Sequence, residues 1–438
     1  MKKKIAAGLS LVLTALLFAG CALRTVDEMY ALPRRSAEYK SLQSAIDMAM
    51  YGQEYCAPLS GENRQTVQTA DLNGDGLDEY LVFAKGTDEK YLHILIFNQD
   101  SDGKAHIFEI IKSNGTAFEQ VEYVNMDDKP GCELVVGRQV SDQVQRSVSV
   151  YSFYEGNANQ IFNTGYAKFL TCDLSDVGRE ELLVIQFGEG ETDNGVAALY
   201  SYREGQMERS VEVPLSQKVE NIKRTTVSKL QGGNPAVYLA GAVEEDTIVT
   251  DILSVKDGRF TNLTLSGESG GVQTLRNYYV YGDDIDGDGV LELPDLISME
   301  PISQEETSEN RHLIRWYAVD TSGAETDKLY SFHNYVGGWY VTLDSAWARQ
   351  VSVSQTDNVY EFSVRDEKLT RPLFRVYTFT GSDRGKQASA DGRFLLYRAE
   401  GAVYAADFEK GAEKFGINGE TLINRFHLIH QDWKTGET

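Results

Sequence analysis

One arrangement recurs five times in this chain: an irregular stretch, acidic and glycine-rich in most copies, that opens directly onto a run of apolar, strand-forming residues. The copies are "DLNGDGLDEYLVF" from 71, "NMDDKPGCELVVG" from 125, "DLSDVGREELLVI" from 173, "SKLQGGNPAVYLA" from 228 and "DIDGDGVLELPDL" from 284, with starts 54, 48, 55 and 56 residues apart. A near-constant period of this size marks a repeat architecture. Each unit continues as alternating apolar and polar residues broken by glycine turns, as in "YLHILIFNQDSDGKAHIFEI" and "RSVSVYSFYEGNANQIF". Such alternation predicts short antiparallel strands. Roughly four strands in about fifty residues is the size of a propeller blade, whose radial repetition protects sheet edges. The expected fold is therefore all-β, a β-propeller of about five to seven four-stranded blades.

The "DxNGDGxxE" turn followed by an apolar strand resembles the FG-GAP and VCBS-type repeats of integrin-α-like propellers, over roughly residues 66 to 345. The turn is intact at 71 and 284, eroded at 125 and 173, and without acid at 228. Upstream, "RRSAEYKSLQSAIDMAMYG" places Tyr39, Leu42, Ile46 and Met50 at helical spacing, so residues 21–65 are expected to be a tether and a short helix. Downstream, residues 346–438 are expected to be degenerate blades or a small β-rich or α+β cap. They end in a helix capped by Asn418 or Thr421, with Leu422, Phe426 and Ile429 on one face.

The two intact turns have the spacing of a calcium loop. Calcium takes six to eight hard oxygen ligands, and a glycine-bearing turn can wrap alternate residues around one ion. Counting from the first acid, places one, three, five, seven and nine are Asp71, Asn73, Asp75, Leu77 (through its carbonyl) and Glu79; in the second turn they are Asp284, Asp286, Asp288, Val290 and Glu292. Gly76 and Gly289 fall at the sixth place, where the chain must bend sharply. Carboxylates held this close repel one another unless a cation neutralises them. An EF-hand requires an acid at the twelfth place, which is Val82 in the first turn, so that loop type is excluded there. Asp, Asn and Gly are also ordinary turn residues, and a solvated hairpin is the plainer alternative.

The chain opens "MKKKIAAGLSLVLTALLFAGCALRTVDE", three lysines before a short apolar run, which is the pattern of an export signal over residues 1–20. The run closes on Phe18-Ala19-Gly20-Cys21, which resembles the lipobox of bacterial lipoproteins. That resemblance implies a diacylglyceryl thioether on Cys21 and attachment to the extracytoplasmic face of a membrane. Loss of the signal would carry the net charge from -24 to about -27, which disfavours nucleic acid and anionic lipid headgroups and favours cations. Cys56, Cys132 and Cys172 would remain; a Cys132–Cys172 bridge is one reading, and packing as small buried hydrophobes is the other.

Catalytic motifs are weak. Asp284 and Glu292 fit poorly as an acid/base pair, because acids crowded around a metal stay ionised. "GESGG" (267–271) matches a nucleophile elbow, but strand-like aromatics follow it where a helix is needed. His427 and His430 have helical i, i+3 spacing without a partnering acid cluster. Trp316, Trp339 and Trp347 suit blade cores better than a sugar-binding surface. The expected function is that of a lipid-anchored, calcium-binding propeller that binds an extracellular protein or glycan. The competing reading is an envelope-associated polysaccharide lyase or hydrolase on a propeller scaffold.

Overall fold

A computed structural model describes residues 37–429 and Trp433, apart from 88–90, 128, 141–144, 155, 245–246, 267–270, 279, 300–311 and 367–368. Cys21, His430 and most of the 267–271 motif lie outside the described residues. The strands form six antiparallel sheets of four or five strands, which are the blades of a β-propeller. Blades 2, 3 and 4 are plain four-stranded meanders over 117–165, 168–214 and 221–262.

Blade 1 splits its first strand into Gln53–Tyr55 and Val67–Ala70, which pair end to end along one edge of Glu79–Gly86; Tyr91–Gln99 and Ala105–Asn114 complete it. Blade 5 runs Leu293–Ser298, His312–Val319, Glu325–Asn334 and Trp339–Asp344. Its first position is reduced to one bridge, Asp283 to Glu292. Blade 6 (351–408) ends out of order, with Ala402–Phe408 pairing inside Phe394–Arg398.

The middle strands read as unbroken apolar runs because each blade is packed on both faces. In blade 1, Leu81, Phe83, Ile94 and Ile96 share a core with Phe118, Val121, Leu134 and Val136 of blade 2. Val82, Leu95 and Phe97, one residue out of phase, face the other way, as the period of two requires. Further clusters join blades 2 and 3, 3 and 4, 4 and 5, and 5 and 6.

The outer faces of the two end blades are covered by helices. Helix α1 (Ala37–Ala49) lays Leu42 and Ile46 over the free face of blade 1. Helix α2 (Arg384–Ala388), inserted between two strands of blade 6, places Ala388 against Tyr377, Phe379, Val403 and Ala405 on that blade's free face.

Trp316, Trp339 and Trp347 are all buried in blade cores, as is Trp433. Cys56, Cys132 and Cys172 are free thiols, so the bridge reading is not realised; Cys172 packs in the core between blades 3 and 4. The last helix, α3 (Gly419–Arg425), does start on an Asn418–Thr421 capping box. It is shorter than the apolar spacing suggests, because Phe426–Leu428 leaves the helix to pair with Trp339–Val341 of blade 5. Phe426 and Ile429 are still buried, but not as one helix face.

Candidate metal centre in the acidic turns

All four acidic turns occupy the same place, between the first and second strands of blades 1, 2, 3 and 5. In each, the residue before place one pairs with the glutamate at place nine: Ala70 with Glu79, Val124 with Glu133, Cys172 with Glu181, Asp283 with Glu292. These glutamates are 1%, 4%, 4% and 0% exposed. Each accepts a backbone N–H from inside its own loop, from Leu72, Met126, Ser175 and Ile285. An acid buried this deeply needs partners, and the loop's unpaired amides supply them. The ninth residue is thus a structural clasp even where the turn is eroded.

In the turns at 125, 173 and 284, place eight locks the loop to the blade before it. Cys132 Sγ donates to the carbonyl of Asp71, Glu180 N–H to Asn125 O, and Leu291 N–H to Lys229 O. Gly74 at place four sits against Pro130 of the next turn, where a Cβ would come within 2.4 Å of it. Gly74 and Gly76 have φ of 76° and 86°, and Gly287 and Gly289 of 78° and 83°, the left-handed region that glycine enters without strain.

The two intact turns differ in how they satisfy their oxygens. In the first, Asp71 accepts N–H from Gly74 and Gly76 at 2.8 and 3.0 Å, while Asn73 and Asp75 accept from Asp75 and Leu77. Both oxygens of Glu79 are engaged, by Leu72 N–H at 2.9 Å and the Asn73 amide at 2.7 Å. Burial raises the Glu79 pKa, with Asp75 and Asp71 adding to it.

In the second turn Asp284 accepts from Asp288 and Gly289, both at 2.9 Å, and Asp288 accepts from Val290. Place three is now Asp286, which has no amide to donate. Glu292 Oε1 is left buried without a hydrogen-bond partner, while Asp284, Asp286 and Glu292 bring oxygens within 4.8 Å of one another. No other three His, Cys, Asp or Glu side chains among the described residues converge so closely. Burial, then the Asp286 charge, pushes the Glu292 carboxyl up to about 8.

A hard divalent cation fits this donor set. Asp284, Asp286 and Glu292 would hold it through carboxylate oxygens and let the buried acid stay ionised, and the ion would contribute charge neutralisation to the loop. Asp288, at place five, is instead drawn to Lys328, whose ammonium holds the Asp288 pKa below the usual carboxylate range. Among the five places of the first turn, the acids Asp71, Asp75 and Glu79 do not converge in this way.

The eroded turns replace the acids with other partners. Lys129 stands at place five of the second copy, 3.1 Å from Asp127 at place three and over the ring of Tyr154. In the third copy the Ser175 and Ser201 hydroxyls donate to Glu181. The place-nine glutamate is legible in all four acidic copies, whereas Lys328 lies 40 residues beyond Asp288 and gives no local signal.

No protein-family model matches this chain, and no curated protein matches it. Solved structures do. An exotype rhamnogalacturonan lyase, YesX, is 10% identical over 81% of this chain and 72% of its own, with a TM-score of 0.30. A protein from Lactobacillus plantarum is 14% identical over 73% of this chain and 86% of its own, with a TM-score of 0.31. The Dos1 propeller is 10% identical over 80% of this chain and 68% of its own, with a TM-score of 0.25. At these identities and scores no chemistry passes from those proteins to this chain; its β-propeller architecture stands on its own six sheets.

Proposed function

We propose that this protein is an exported propeller of the FG-GAP/VCBS type, anchored through a lipid on Cys21 to the extracytoplasmic face of a membrane. It binds calcium and works as a binding module for an extracellular protein or glycan. Residues 66–345 are the repeat region in this reading, with residues 346–438 as its C-terminal part. The calcium claim is carried by one observation: the Glu292 oxygen that is buried, lacks a hydrogen bond and converges with Asp284 and Asp286. Leaving a buried carboxylate oxygen unpaired is costly, and a cation is the ligand that relieves the cost for three acids at once. The same relief applies with less force to the Leu77 carbonyl and to Asp71, Asn73, Asp75 and Glu79, whose side-chain oxygens already have internal donors.

Thermal unfolding in calcium and in chelator tests the metal. The melting temperature rises with calcium, and the rise shrinks when Asp284 and Asp286 are both changed to Asn; identical melting in calcium and chelator overturns the reading. For the anchor, the intact mass of protein extracted from the host membrane should carry diacylglycerol on Cys21. A soluble form without lipid refutes it.

A further inference from the structure

In blades 1, 2, 3 and 5, the residue after the clasp glutamate pairs with an aromatic of the third strand: Tyr80 with Phe97, Leu134 with Tyr151, Leu182 with Tyr200, Leu293 with Tyr317. Beside that aromatic the fourth strand of every one of these blades carries a bulge, a single residue skipped by the register. The skipped residues are Phe108, Ile161, Ser210 and Lys328. A bulge re-aims the side chain that it carries. Only in blade 5 is that side chain a cation.

Lys328 Nζ lies 2.5 Å from Asp288 Oδ2, 4.0 Å from Asp286 Oδ2 and 3.9 Å from Glu292 Oε1. Its side chain is 15% exposed. Blade 2 reaches a related arrangement from within the loop, since Lys129 occupies place five and contacts Asp127. A compact ammonium on a flexible stem can stand among carboxylates as a small cation does, with fewer and weaker contacts than a divalent ion makes.

We infer that Lys328 is the resident cation of the turn at 284, and that a divalent ion enters this turn only by displacing the lysine. The inference rests on the calcium reading above and adds its control: affinity at 284 is set by a competitor built into the neighbouring strand. At turn 71 the equivalent bulge residue is the uncharged Phe108, which cannot compete in this way.

The test uses Lys328→Ser, which installs the side chain that blade 3 already carries at this position, in a background of Asp71→Asn with Asp75→Asn so that turn 284 reports alone. Calcium binding by calorimetry should tighten by about tenfold over the lysine form, the scale of a partly screened ion-pair competition. Lys328→Arg, which keeps the charge, should bind as weakly as the parent. In the lysine form, acylation of the Lys328 amine read by mass spectrometry should be slow in chelator and faster in calcium. Calcium uptake with Lys328 equally protected before and after overturns the exchange and leaves the metal site standing. Absence of calcium uptake by parent and Lys328→Ser alike overturns the metal reading itself, and the exchange with it.

Discussion

The turns at 71 and 284 are nearly the same loop with opposite electrostatic solutions. Both fold Asp oxygens onto the amides of places four to six, and both bury a glutamate at place nine. The difference begins at place three. Asn73 has an amide to give Glu79, so the loop closes with its own donors. Asp286 has none, so Glu292 keeps an unpaired oxygen, and the turn recruits positive charge from Lys328 on another strand. A single amide-for-carboxylate change therefore separates a self-sufficient turn from one that asks for a cation.

The largest effect should come from the clasp itself. Glu79→Ala strands the buried Leu72 N–H and the half-buried Asn73 amide and should cost about 2–4 kcal/mol in urea unfolding, most of it present in chelator as well as in calcium. Glu292→Gln should behave differently, costing little in chelator and abolishing most of the calcium stabilisation. Equal calcium dependence for the two variants breaks the contrast. Exchanging place three comes next. Asp286→Asn should stabilise the metal-free protein by about 1 kcal/mol and weaken calcium binding, while Asn73→Asp should do the reverse at 71, both read by chelator and calcium melts. The smallest effect on calcium dependence is expected at the second copy: Lys129→Met takes the cation from the nearly buried Asp127 carboxylate and should cost about 1 kcal/mol, in calcium and chelator alike.

Much of the fold was legible because the repeat writes itself into local pattern. The period located blades 1 to 5, and the apolar runs marked their doubly packed strands. Blade 6 gave no turn signal, since Val351–Thr356 passes to Val359–Asp366 through Asp357 and Asn358 alone, too short for the glycine-bearing acidic loop of the other blades. The end of α3 was illegible because pairing of Phe426–Leu428 with blade 5 overrides a helical pattern that continues to Ile429. At the site, ligand spacing was readable, but its two partners of consequence were not. The clasp role of Glu133 and Glu181 depends on amides that only the folded loop presents, and Lys328 reaches Asp288 across a bulge that no local pattern announces.

The helical covers on the two end blades bear on how the chain matures. Blade 1 and its cover lie wholly within the first 114 residues, with the cover made first, so this end can shield its outer surface while the rest of the polypeptide is still being synthesised. Blade 6 carries its cover inside its own sequence, between Thr380 and Phe394. Among the described residues, the apolar cluster on each of these faces is therefore closed by contacts from its own neighbourhood in the sequence. For a large all-β protein, whose assembly is ordinarily slowed by distant pairings, that arrangement shortens the time during which open sheet is offered to other chains.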